Sequence, residues 1–498
     1  MSARAPSTPS DHAEPAAARS TVPSIRSKSS LVCRSVLAAS LLVAVGGSRA
    51  TPAPGGPPPS RLVIVGSADL KGKTSPCGCH IPRGGFARMA AFLDSVRAGG
   101  VPALFVDAGG SFPEVDSRTD LAEFMLRSLA DLRVGAVGLG PRDLRHGIAF
   151  LRDQVRRLEV PMTCANLVDR GKHAPLFPES RVVDAAGVRV GVFALIGDRL
   201  DLGPAHDSLL VLDPENVAAR VVAELRARGA QVIVLLSQLG RVGGEDLATA
   251  VPGIDVVILG HDVPILGHGR RIGDAIGSYA GEQGQQLGVV TLTLGPDGRA
   301  ADATCDVRSL GPDVREQPAT LAKVKAFEDA YNERMRVEQR RAQALAAADP
   351  DSDPVDHFVG GEVCARCHAA ESEQWRTTAH SLAWETLVRE HKDATPECVP
   401  CHSVGYRQPG GFVDPVRTPH LVNVQCENCH GMGTEHSDTW LARSALGERT
   451  CRACHNQERD PEFDFPAKLP LMVHGNSSGE SIRIVKARRA QGYSSGGR

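Results

Sequence analysis

Four segments of the chain carry two cysteines separated by two residues and followed at once by histidine: Cys364, Cys367 and His368; Cys398, Cys401 and His402; Cys426, Cys429 and His430; Cys451, Cys454 and His455. Two thiols at this spacing reach the two vinyl groups of one porphyrin, and the adjacent imidazole supplies an axial ligand to its iron. Each segment is therefore predicted to hold one covalent haem c, four in all, with His368, His402, His430 and His455 as proximal ligands. Zinc binding and disulfide formation are the competing uses of paired cysteines. Neither requires a histidine directly after every second cysteine, and the fourfold repetition decides against both. Residues 357–476 also carry too little aliphatic sequence for an ordinary core, so stacked porphyrins are expected to supply it. Without haem this region is not expected to fold.

A second reactive group lies far upstream, in Pro76-Cys77-Gly78-Cys79-His80. Two thiols one residue apart, beside an imidazole, can bind a soft metal or undergo thiol–disulfide exchange. A structural disulfide with another cysteine such as Cys164, or a haem attached at the unusual Cys-x-Cys-His spacing, are the other uses. The residues leave these open.

The elements that must position both groups fall into two bodies. A chain of 498 residues with 42% hydrophobic content has room for roughly two to four domains and a buried core. Lys plus Arg (56) nearly cancels Asp plus Glu (58), so no strong global field favours nucleic acid, which is not expected as a partner. From 61 to 310, runs such as LVIVG, ALFVDAG, VIVLLSQ and DVVILG alternate with amphipathic stretches at Gly85 to Arg97, Leu121 to Leu132, His146 to Arg157 and Pro214 to Arg228. Nearly continuous apolar runs suit strands buried on both faces, and the alternation predicts an α/β layered domain. Residues 311–356 read as a helical linker, because Pro318 to about Ala348 is dense in Ala, Glu, Lys, Arg and Gln without internal Pro or Gly; one long exposed helix follows. Residues 357–476 form the haem-bearing domain, mostly α and packed on its porphyrins. Residues 477–498, polar and rich in Gly and Ser, read as a disordered tail.

The start of the chain reads as an address. About 30 polar residues with Arg26, Lys28 and Arg34 precede the apolar stretch Ser35 to Gly47, which is short for a membrane span. Ser48-Arg49-Ala50 matches a small-x-Ala cleavage pattern, so residues 1–50 are expected to act as a signal peptide, or alternatively as an N-terminal membrane tether. Both place the body in the periplasm or otherwise outside the cytoplasm. Cys33 precedes the apolar run, which argues against lipoprotein processing there. Residues 51–60, TPAPGGPPPS, form a Pro/Gly-rich spacer.

The haem-bearing segment from Phe358 to about Gly475 resembles the multihaem cytochrome c-554 family. The resemblance rests on FVGGEVCARCH, the Trp375-to-His380 spacing, VQCENCHGMGTEH, and CRACH followed by FDF and Val473-His474-Gly475. It implies that His380, His436 and His474 are distal ligands completing bis-histidine coordination, which suits outer-sphere electron transfer. Four proximal and three distal histidines leave one axial position unfilled, for which His391, His420 and His357 are candidates unless one iron is five-coordinate. The implied partners are redox proteins, on a quinol oxidase or reductase side or among other cytochromes.

The front domain, in turn, resembles the metallophosphoesterase domain of the secreted 5'-nucleotidase family, which includes the thiosulfohydrolases. The order SADLKGK, GGFARMA, FVDAGGSF, VGAVGLGPRD, CANL, VIVLLSQLG, IDVVILGHD and YAGEQGQQLGVVTLTL carries the likeness. It implies an αββα sandwich whose strand ends hold two divalent metals. Asp69, Asp107 and His261 stand at ligand positions, but Lys71, Pro141, Arg142, Gln238 and Val263 stand where further ligands and a catalytic histidine are expected. A cation and two side chains without donors make a binuclear centre improbable, and Asp69 is expected to pair with Lys71 as a remnant of it. Two functions follow: an electron carrier whose degenerate front domain docks or binds, or a redox enzyme or hydrolase acting on a sulfur or phosphate compound with the haems as electron outlet.

Overall fold

The computed structural model describes residues 60–76, 81–113, 118–197, 202–346, 357–434, 447–456, 459–460, 462–476 and 478–493. The predicted signal segment, most of the 51–60 spacer, the Cys77, Cys79 and His80 loop, and His436 lie outside the described residues.

The strands are β1 (Arg61–Ser67), β2 (Ala103–Asp107), β3 (Ala136–Val137), β4 (Leu167–Asp169), β5 (Ser180–Ala185), β6 (Val188–Ile196), β7 (Leu209–Val211), β8 (Val232–Gln238), β9 (Val256–Leu259), β10 (Arg270–Ile272), β11 (Ala275–Ser278), β12 (Gln286–Leu294) and β13 (Ala300–Ser309). They build a five-stranded sheet ordered β13-β12-β1-β2-β3 and a six-stranded sheet ordered β10-β11-β9-β8-β6-β5, with β4 and β7 paired separately. β1, β2 and β3 run parallel, as do β6, β8, β9 and β11.

Period-2 alternation explains the layering. Leu62, Ile64, Leu104 and Val106 of the first sheet share one buried cluster with Val190, Val192, Val232, Val234, Val256 and Ile258 of the second, so the sheets pack face to face. The intervening residues turn outward to helices. Val65 and Phe105 meet residues of α1 (Phe86–Ala98) and α2 (Thr119–Asp131), while Phe193, Leu235 and Val257 meet α4 (Pro214–Ala227) and α5 (Gly240–Ala250). Between them lies α3 (Ile148–Arg157). The result is the αββα sandwich. Local signals set the helix starts: Asp213 caps α4 by accepting from Asn216 N at 2.8 Å, with Pro214 at the first helical position.

The helix α6 spans Pro318–Ala346. It is not the exposed rod its composition predicts. Phe327 stacks on Phe124 of α2 at 4.1 Å, and Val324, Tyr331 and Asn332 are buried. A polar helix offers few apolar residues, and here Val324, Phe327 and Tyr331 are the ones that dock.

Beyond α6 the described chain forms short helices around one small apolar cluster of Phe358, Trp384, Leu387, Val399, Val404, Phe412, Leu421 and Val422. The expected disordered tail is also corrected: Gly479–Ala490 is helical, capped by Ser478 accepting from Ser481 N, with Val485 buried. A capped start outweighs the Gly/Ser composition there. Among the described residues no helix is long and apolar enough to cross a membrane.

Candidate functional site

Each Cys-x-x-Cys-His sequence meets a short helix: Gly361–Cys364, Val399–His402, Cys426–His430 and Glu448–Arg452. The turn brings the reactive atoms together. Cys367 N and His368 N both donate to Cys364 O (3.2 and 2.9 Å), and Cys454 N and His455 N both donate to Cys451 O (3.1 and 2.9 Å). One helical turn therefore presents two thiols and one imidazole, the set a covalent haem requires.

The first and third motifs are held together through one carboxylate. Glu427, between the two cysteines of the third motif, accepts from Val359 N (3.0 Å), Gly360 N (2.8 Å) and Gly433 N (2.7 Å), clamping that motif to the approach of the first. Sequence reasoning missed Glu427; its signal is an acidic residue inside a motif whose neighbours are glycines.

The histidines are prepared as ligands. His402 Nδ1 lies 2.6 Å from Ala383 O and His455 Nδ1 lies 2.7 Å from Asp460 Oδ2, so each ring keeps Nε2 for a metal. Burial, with the nearby His455 and His402, holds His380 down to about 4, in the neutral form that ligates iron. The His380 and His455 ring centroids are 6.1 Å apart, and those of His430 and His474 are 5.9 Å apart. His474 Nδ1 contacts Gln374 Oε1 at 3.1 Å. These residues fit haem c in donor type and arrangement. Of the candidates for the last axial position, His391 instead contacts Asp329 of α6 at 3.0 Å, and His420 and His357 are exposed.

In the front region, the ends of β2 and β8 and the loops after β1 and β9 bring Asp107, Gln238, Asp69 and His261 together. Asp69, Lys71, His261 and Asp262 all adopt positive φ (50°, 50°, 70° and 57°), a strained backbone for such side chains and a frequent mark of functional loops. Asp69 accepts from His261 N at 2.6 Å and Gln238 Nε2 at 3.3 Å, and burial raises it to about 6. Asp107 is fully buried and raised to about 7; it accepts from Ser67 Oγ (2.6 Å), Gly109 N (2.9 Å) and Ser111 Oγ (3.3 Å). Gly110 closes the cluster: a Cβ there would lie 2.2 Å from Asp69 Oδ1.

This arrangement does not fit two divalent metals. Lys71 forms ion pairs with Glu282 and, at 3.1 Å, with Asp262, placing a fixed cation at a ligand position. The expected Asp69–Lys71 pair is thereby corrected, since two more accessible carboxylates take the amine. Among the described residues no group of three or more His, Cys, Asp or Glu side chains is disposed to hold a metal ion. The residue that sequence reasoning missed is Asp143, whose carboxylate accepts from Gly110 N (2.8 Å), Gly140 N (2.9 Å), Ser111 N (2.9 Å) and Phe112 N (3.2 Å). An Asp closing the glycine-rich GLGPRD was its signal. Cys164 is free and fully buried, and that burial pushes its thiol up to about 12.

Comparison with known proteins agrees with this division. Residues 363–431 match the family model of cytochrome c554 and c-prime. The chain is 32% identical to cytochrome c-554 of Nitrosomonas europaea over 164 residues, covering 29% of this chain and 66% of that protein. It is 26% identical to a probable 5'-nucleotidase of Treponema pallidum over 209 residues, covering 39% of this chain and 34% of that one. Among solved structures, the sulfate thiohydrolase SoxB of Thermus thermophilus superposes with a TM-score of 0.48 at 19% identity, over 53% of this chain and 60% of that chain. The chain thus spans just under two thirds of the first relative and about one third of the second. Its C-terminal region resembles the multihaem cytochrome c-554 family, and its front region resembles the metallophosphoesterase domain of the 5'-nucleotidases.

Proposed function

We propose that this chain is an exported electron-transfer protein with four covalent haems at 357–476, joined through 311–356 to a phosphoesterase-like domain at 61–310 that serves as a docking or binding module. The observation that carries the reading is the set of four turns, each offering two thiols and an imidazole, with further imidazoles facing two of them. The ring spacings of 6.1 and 5.9 Å support His380 with His455, and His474 with His430, as the pairs that would hold two of the haem irons. His436 would be the distal ligand for one of the other two haems.

The front domain acts without a binuclear metal centre, because Lys71 already supplies a cation where a ligand is needed. The test is pyridine haemochrome stoichiometry with metal analysis on protein matured by a c-type system. Four haems and no bound divalent metal are expected. Fewer haems would overturn the central reading, and two metals per chain would restore the hydrolase. A redox enzyme draws support from the contact between Ser75, in the β1 loop, and Lys392 at 2.8 Å. It requires haem reduction that depends on an added sulfur or phosphate compound.

A further inference from the structure

The second haem-attachment motif is entered through residues 391–397, and that segment is held from outside the C-terminal region. Asn332 of α6, only 1% exposed, donates to His391 O and accepts from Ala394 N at 3.0 Å. Arg336 pairs with Asp393 at 2.7 Å. Arg118, just before α2, pairs with Glu397 at 3.2 Å and lies over the Tyr331 ring at 3.3 Å. Lys392 donates to Ser75 Oγ at 2.8 Å and lies 3.8 Å from Glu328, which accepts from Thr74 at 2.6 Å. The β1 loop, α6 and the approach to Cys398 form one network of paired charges.

That network leads to a sulfur. Cys398 is half-buried and follows directly on the held segment: its N–H donates to Thr395 O at 2.9 Å, and Thr395 N donates to Lys392 O at 3.0 Å. Lys392, Arg459 and Lys73 are the cations, and Glu397 the carboxylate, whose charges bear on that sulfur. Lys73 belongs to the front region, Lys392 is fixed by it, and Glu397 is anchored to its Arg118. Low local dielectric makes such charges count for more than they would in water, and salt screens them less.

We propose that the front region forms part of the electrostatic wall of the second haem, so that Lys73 and Lys392 raise, and Glu397 lowers, the reduction potential of the haem bound by Cys398 and Cys401. The inference rests on the four-haem reading above. The ferric form carries one more positive charge than the ferrous form, so nearby cations favour reduction and nearby anions favour oxidation. Lys73, Lys392 and Glu397 act here as positioning and tuning residues, not as ligands.

The test is a spectroelectrochemical titration of the full-length, matured protein in which the four reduction steps are resolved. The second haem is assigned by His402→Met, which displaces its step. Lys73→Ala and Lys392→Ala are expected to lower that step alone, and Glu397→Gln to raise it. Lys392→Arg keeps it near the wild-type position. Lys323→Ala, which removes an exposed cation paired with Asp131, leaves all four steps in place. Full haem loading with no shift in Lys73→Ala and Lys392→Ala would overturn the inference while leaving the electron-transfer reading intact. So would shifts of the same sign for the cation and carboxylate variants, since disturbed packing does not follow charge. Incomplete haem loading in the unsubstituted protein would overturn both.

Discussion

Asp143 accepts four backbone N–H groups, a load that no neutral side chain of its size can carry. Hydrogen bonds to a charged group are each worth roughly 1.5–3 kcal/mol, and their loss strands buried donors. Asp143→Ala is therefore expected to destabilise the front region by about 3 kcal/mol or more. The loss would be read as faster hydrogen exchange at Gly110, Ser111 and Phe112, with haem content unchanged. Unchanged exchange would mean that the loop holds itself. This residue stands in plain sight in GLGPRD, yet three of its four partners come from the loop after β2, some 30 residues earlier. The cysteines and proximal histidines were legible because adjacency in the chain already places them on one turn. His380 and His474 were singled out only through family spacing, because the imidazoles they face are 75 and 44 residues away along the chain.

Among the elements, α6 departs furthest from its composition. Its Ala, Glu, Lys and Arg content predicts a helix, and a helix of 29 residues forms. What composition does not show is that one Tyr and one Asn along it are buried at the approach to the second motif. Asn332→Ala leaves His391 O without its amide donor and Ala394 N without its acceptor, at a cost of about 1–3 kcal/mol. Loss of exchange protection at Ala394 N, with α6 itself still helical, is the expected result; retained protection would show that Asn332 does not hold the segment. The strands, by contrast, were readable from continuous apolar runs, because both faces of β1, β6, β8 and β9 are covered.

The whole molecule divides by how each half excludes water. Among the described residues the front region has three extensive apolar clusters, whereas the C-terminal region has one, of eight buried residues. Ordering a chain costs roughly 1–2 kcal/mol per residue in backbone entropy, which so small a cluster does not offset without bound porphyrin. Replacing all eight motif cysteines with alanine is expected to abolish the helical signal and protease resistance of residues 357–493 while leaving the front region folded. A resistant C-terminal fragment in that variant would show that the polypeptide alone supplies the core.

The sequence by itself determined the four Cys-x-x-Cys-His motifs, the alternation that builds the sandwich, and the second region's shortage of ordinary core, because each depends on neighbours within a few residues or on composition. Only the tertiary structure decided which carboxylates take Lys71, which imidazoles face one another, and that Asn332, Arg118 and Ser75 hold the approach to Cys398. Those depend on segments tens to hundreds of residues apart, and their meeting is set by strand order and helix docking. No local pattern records either.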